Sequence, residues 1–279
     1  MKAADAARLL LLAAIWGASF LFIRVTAPAI GAAATADLRM LIAGAALAAY
    51  FAITGFDAQW RRWWRWYILI GALTSAAPFL LFAYAALELS AGMLSVLNAT
   101  SPMWGALLSA AILRERMSAR RLAGLALGIA GVAVVSGAEG STHWPAIAAA
   151  LGAAFSYGLT GVVLRRWGRD TSSRGMAVGT QLMGAVLLLP LLAWSPPPIP
   201  DSTSLGALLA LGLVCTAFAY LLYFRLIADI GPTGALTVTY LIPIFGVLWG
   251  ALFLGEPLSA SIVGGALVVV AGTVLVLRG

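Results

Sequence analysis

"LGEPLSAS", residues 254–261, is the second writing of one segment: residues 113–120 read "LRERMSAR". Leu113 falls on Leu254, Glu115 on Glu256 and Ser118 on Ser259, while Arg114, Arg116 and Arg120 have no counterpart. The same offset of 141 runs from end to end without gaps, laying Gly17 on Gly158, Arg24 on Arg165, Gly71 on Gly212, Pro102 on Pro243, Gly105 on Gly246, Gly124 on Gly265 and Gly131 on Gly272. The offset is about half of the 279 residues, so the chain reads as two copies of one unit, residues 1–138 and 139–279. A repeat of this kind decides the fold before any single element does.

The composition says where such a chain lives. Hydrophobic residues make up 62% and charged residues 10%, with a mean hydropathy of +1.00. Soluble domains run at about 45–50% apolar and about 25% charged, so this is an integral membrane protein. The net charge of +7 does not indicate nucleic acid, because the basic residues stand in short clusters between apolar runs rather than on one solvated face. "QWRRWWRWY" (59–67) is read as an aromatic belt with basic flanks, not as an RNA-stacking surface. The single cysteine, Cys215, excludes an intramolecular disulfide, and no metal-ligand spacing exists. The charged, apolar start resembles a signal peptide, but the apolar run continues to Ile23, past the usual ~7–15 residues. It is read as a retained first helix.

A bilayer core needs about 20 apolar residues of helix, and no strand-like alternation competes. Ten spans are predicted: Ala6 to Arg24, Ala33 to Ile53, Trp66 to Leu87, Ala91 to Leu113, Arg121 to Gly137, Trp144 to Leu164, Gly175 to Trp194, Leu205 to Ile227, Thr233 to Leu254 and Leu258 to Leu277. The fold expected is therefore all-α and polytopic, one transmembrane domain with a stiff proline-rich linker at 195–204. Of the 17 basic residues all but Arg24 and Arg39 fall on the side of the amino terminus, while Glu88, Glu139, His143, Asp201 and Glu256 mark the other. By the positive-inside rule both termini are cytoplasmic, in a bacterial-type inner membrane. Five spans per copy is odd, so the second copy enters from the opposite side, an inverted-topology repeat of the kind transporters use. The missing arginines then have a cause. The 113–120 turn lies in the cytoplasm and the 254–261 turn outside.

"WGASFLFIR" (16–24), "LRMLIAGAAL" (38–47), the Pro102-to-Glu115 spacing before a glycine-rich span, and its echo "PIFGVLWGALFLGEPLS" (243–259) resemble the drug/metabolite transporter superfamily, specifically its EamA-type ten-helix members. The resemblance covers essentially the whole chain. It implies export of small metabolites, with one branch exporting amino acids including aromatic ones, and a central cavity lined mainly by spans one, three, four, six, eight and nine. The basic block Arg114-Glu115-Arg116 departs from the second copy, which the inversion accounts for.

Candidate site residues follow from polarity inside the spans. "LNATSPMWG" puts Asn98 and Ser101 beside Pro102, and "TVTYLIPIFG" puts Thr239 and Tyr240 before Pro243. Proline breaks the backbone ladder, so a freed carbonyl could meet substrate or serve as a hinge, or the polar groups could bridge packed helices. Trp16 pairs by offset with Tyr157 and Phe79 with Tyr220, four aromatics well inside their spans, suited to an apolar cavity for neutral or zwitterionic solutes or to packing alone. Arg39 either attracts a carboxylate or pairs with Asp37 or Glu88. No carboxylate is expected at the midplane, Asp37 being the nearest exception, so passage without proton coupling is expected; a proton-coupled exporter of cationic drugs is the alternative. No enzyme is expected, because catalysis needs nucleophile, base and orienter in reach and the one histidine, His143, lies in a loop. The expected partners are a small-molecule substrate and membrane lipid, with no cofactor; the chain is expected as a monomer, with a homodimer as alternative.

Overall fold

A computed structural model describes residues 2–138, 143–168 and 172–278. Glu139 and Arg169, to which the sequence assigns sides, lie outside them. Among the described residues ten helices are long and apolar enough to cross a membrane: α1 Ala3–Ile30, α2 Ala32–Ile53, α3 Trp60–Ala85, α4 Ala91–Leu113, α5 Ala119–Gly137, α6 Trp144–Trp167, α7 Ser173–Trp194, α8 Ser202–Gly231, α9 Gly234–Leu254 and α10 Ala260–Arg278. Each predicted span lies largely within one of these. α1 and α3 differ most: α1 continues past the charge of Arg24 through the apolar residues 25–30 to Gly31, and α3 takes in the basic and aromatic residues 60–65 ahead of the predicted span.

The turns have local causes. Gly31, at φ 87°, separates α1 from α2, and Gly255, at φ 67°, ends α9. Both angles lie in the region that only glycine enters without strain. Ser90, Ser172 and Asp201 cap α4, α7 and α8 by accepting backbone N–H groups. Those backbone donors hold the Asp201 carboxyl below the usual carboxylate range.

Packing repeats with the sequence. α1 lies along α9 and α4 along α6, α5 pairs with α10, and α2 meets its own copy, α7. The contacts are built from glycine. A Cβ on Gly17 would stand 2.9 Å from the Gly246 nitrogen, and one on Gly158 would stand 2.6 Å from the Gly105 nitrogen, the same contact in the other unit. α5 and α10 interlock likewise, Gly124 against Gly272 and Gly131 against Gly265. Lipid supplies little hydrophobic drive between helices, so close backbone approach of this kind carries much of the association.

α3 and α8 are irregular where the sequence predicts plain spans, α4 breaks at the proline the sequence flags, and α9 turns at Thr237. α3 widens to π geometry at Ala72–Ala76 and α8 at Ala210–Phe218, overlapping positions under the offset. α4 breaks between Asn98 and Ser101, immediately before Pro102. The carbonyls freed there are satisfied within the protein: Ser101 Oγ donates to Asn98 O at 2.6 Å, and Thr273 Oγ1 of α10 donates to Ala99 O at 2.8 Å. The expectation of a carbonyl left open for substrate is thus corrected at Asn98. Thr273→Val leaves Ala99 O buried and unpaired, which is expected to cost about 1–2 kcal/mol; a lower midpoint in detergent unfolding, with Thr273→Ser close to the parent, is the check. Pro243 sits differently from Pro102, inside the continuous run Val238–Leu254.

Candidate functional site: a central cavity open at one end

A cavity of about 500 Å³ lies between the two units, lined mainly from α1, α3, α4, α6, α8 and α9, the six helices implied by the resemblance, with Arg39 added from α2, Arg121 from α5, and Val276 and Leu277 from α10. Trp16, Phe79, Asn98, Ser101, Pro102, Tyr157 and Tyr220 all reach it. Tyr240 and Pro243 do not; Thr239 faces it instead. A turn at Thr237 restarts α9, and the new register brings Thr239 rather than Tyr240 to the wall. Thr74, Cys215 and Thr216, which sequence reasoning did not select, are placed there by the two π segments. The detectable signal was their equivalence, since Thr74 and Cys215 are 141 apart.

The walls are aromatic. Trp16 meets Tyr223 at 5.3 Å between centroids, Phe20 stands edge-on to Phe82 at 5.4 Å, and Tyr220 stacks on Phe224 at 5.9 Å. Polar groups are set among them, and several are held: Ser101 Oγ donates to Asn98 O at 2.6 Å and Thr239 Oγ1 to Leu236 O at 2.8 Å. The Asn98 amide has no hydrogen-bond partner among the described residues. Arg39 is only 6% exposed. Its Nε donates to Thr216 Oγ1 at 2.9 Å, and its guanidinium lies 3.8 Å from the Phe79 ring centroid.

Neither acid expected near Arg39 pairs with it. Glu88 binds His143 Nδ1 at 2.9 Å. Asp37 is fully buried, away from the cavity lining, and both its oxygens lack partners. Residues two apart on a helix stand about 200° round from each other, so Asp37 and Arg39 face opposite ways.

The two ends of the cavity differ. At the arginine-rich end it is lined by Ser109, Glu115, Arg121 and Arg165, whereas none of the lining comes from the turns at 86–90 and 254–259. At that closed end Glu256 accepts from the Ala91 N–H at 2.7 Å and the Gly92 N–H at 3.1 Å, and Arg24 donates to Ala86 O at 2.6 Å and Leu87 O at 3.1 Å. At the open end the copies bind each other: Arg165 pairs with Glu115, and Arg121 approaches Glu115 at 3.6 Å. Equivalent residues thus seal one face and leave the other apart.

Comparison with known proteins agrees with this architecture. The model of the EamA-like transporter family matches residues 6–137 and again 144–278. The "Probable terminal-alkyne amino-acid exporter" of Streptantibioticus cattleyicolor is 30% identical, covering 100% of this chain and 95% of that protein. The "Probable amino-acid metabolite efflux pump" of Salmonella typhimurium is 26% identical over 98% of this chain and 94% of its own. A crystal structure with 19% identity superposes with a TM-score of 0.69, covering 99% of this chain and 96% of that one, a likeness of fold alone.

Proposed function

Because the chain belongs to the EamA-like transporter family, a multi-pass membrane family of transporters rather than enzymes, we propose that it exports amino acids and related small amphipathic metabolites. Residues 1–138 and 139–279 rock about the cavity in alternating access, in a bacterial-type inner membrane with the arginine-rich end cytoplasmic. The protein acts as a monomer. The observation that carries the mechanism is the mismatch between equivalent ends: Arg24 and Glu256 hold helix ends shut, while Arg165 and Glu115 hold each other. Exchanging the two arrangements closes one face and opens the other, with one donor fewer for Glu115 than for Glu256, because Pro232 stands where Ala91 donates. The printed names of two relatives matched over nearly their whole length support amino acids, and a cavity of aromatic walls set with hydroxyl, amide and guanidinium groups suits a zwitterion bearing an apolar side chain.

Purified protein in liposomes, tested for counterflow of labelled amino acids with and without a pH gradient, is the deciding experiment. Flux of aromatic or aliphatic amino acids without an imposed gradient is expected. Trp16→Ala, Asn98→Ala and Tyr157→Ala together are expected to cut it about hundredfold through lost aromatic and polar contacts; undiminished flux would remove these residues from the site. A second reading, proton coupling, is favoured by the buried, unpartnered carboxylate of Asp37, since intramembrane acids serve proton relays. It predicts no flux unless protons flow and loss of coupling in Asp37→Asn.

A further inference from the structure

Arg39 presents an unbalanced charge. A cation deep in a membrane domain is costly and is normally paired, yet no carboxylate of the described residues lies within ion-pair reach of it. Glu88 is engaged with His143, Glu115 with Arg165 and Glu256 with the start of α4, and Asp37 is turned the other way. Its surroundings fix its aim instead of neutralising it. Thr216 Oγ1 donates to Leu211 O at 2.8 Å, a carbonyl displaced by the π segment of α8, so the hydroxyl offers its lone pair to Arg39 Nε. Phe79 lies against the guanidinium plane, an arrangement in which arginine stacks well. One nitrogen is thereby used, and the guanidinium carries five N–H donors. The terminal nitrogens make no bond among the described residues, on a side chain that lines the cavity.

We propose that Arg39, held by Thr216 and Phe79, is the subsite that takes the substrate's carboxylate, and that the transported class is monoanionic at this group. This rests on the reading of the cavity as the substrate path. A guanidinium binds a carboxylate through two parallel hydrogen bonds, and the aromatic wall of Phe82, Trp16 and Tyr157 takes the apolar remainder. A dianionic phosphate would ask for a second free cation, whereas the other cavity arginines, Arg121 and Arg165, both approach Glu115.

Three matched probes test this on the purified full-length protein: L-phenylalanine, 3-phenylpropionate, which lacks the amine, and phenethylamine, which lacks the carboxylate. Binding is read by titration calorimetry. Both carboxylates are expected to bind, with phenethylamine at least about tenfold weaker. Arg39→Gln is expected to bring the three within about twofold, Arg39→Lys to keep part of the preference because it keeps the charge, and Thr216→Val to weaken the carboxylates several-fold while leaving the cation. Phenethylamine bound as tightly as L-phenylalanine by the parent, or a preference unchanged in Arg39→Gln, overturns the subsite and leaves the amino-acid reading standing. Binding of 3-phenylpropionate but not L-phenylalanine keeps the subsite and overturns the amino-acid reading. Failure of both carboxylates to bind overturns both. Should Arg39→Gln fail to fold, Thr216→Val with unchanged carboxylate affinity also overturns the subsite.

Discussion

Glu256→Gln is expected to open the sealed end of the cavity. The carboxylate accepts two backbone N–H bonds from Ala91 and Gly92, and an acceptor of full charge at a helix start also meets the positive end of the helix dipole. An amide retains one accepting oxygen and loses the charge. The expected loss is about 2 kcal/mol, or about 30-fold in the ratio of the two facing states. The readout is a thiol placed in the cavity wall, Ala106→Cys with Cys215→Ala, labelled by an impermeant reagent from each side of oriented vesicles. In the parent, labelling is expected chiefly from the arginine-rich side; in Glu256→Gln, labelling from the opposite side rises. Glu115→Gln is expected to act in the other direction. In alternating access, Glu115 leaves Arg165 and meets the start of α9, where Thr233 N–H stands in the place of Gly92 N–H but Pro232, in the place of Ala91, has no N–H to give; its exposed pair with Arg165 is worth little, so its removal weakens chiefly the state in which the arginine-rich end is shut. Labelling from that side then stays high and transport falls. If both substitutions moved accessibility the same way, the exchange of arrangements between the copies would be wrong, because a pair of unrelated surface contacts would carry no opposed sign.

The opposed sign follows from a relation already legible in residues 113–120 and 254–261. Register without gaps made Gly17 and Gly158, Gly105 and Gly246, equivalent, and the structure pairs Gly17 with Gly246 and Gly105 with Gly158 across the two units. Such pairs are visible in sequence because glycine has one reason to recur inside an apolar span, the close approach of another backbone. The charges in the turns were legible for the same kind of reason, since topology alone selects them. What lay outside the reach of sequence was register within a helix. The π segments of α3 and α8 contain no residue that demands them, yet they bring Thr74 and Thr216 to the cavity. The turn at Thr237 exchanges Thr239 for Tyr240 by a rotation that composition does not encode. Asp37 was placed near a span end by counting, and its burial depends on how α2 packs, a property of the assembled helices. Residue type told which side chains could bind a solute. Helix phase decided which of them face it.

Gly158→Val is expected to do the most damage of any single change in the cavity wall. The added Cβ would stand 2.6 Å from the Gly105 nitrogen and 2.8 Å from Trp104 Cβ. The first of these is backbone, so no rotamer relieves it, and α4 and α6 must separate. Overpacking of this kind costs about 1–3 kcal/mol or more, and the separation also widens the wall that carries Asn98, Ser101 and Tyr157. Loss of folded protein in detergent chromatography, or folded protein with flux near background, is the expected result. Gly161→Val is the control: Gly161 lies one turn along the same helix and lines the same cavity, but a Cβ there meets nothing within 4 Å, so the fold should hold. Gly105→Ala should be milder than Gly158→Ala although the two face each other, because its Cβ comes only to 3.8 Å of Gly158 Cα. Helix propensity gives the opposite order no support, since replacing glycine by alanine in a helix favours both by about 1 kcal/mol. Equal tolerance at 105 and 158 would mean that α4 and α6 do not touch through Gly158, and the pairing of α1 with α9 through Gly17 and Gly246 would lose its counterpart.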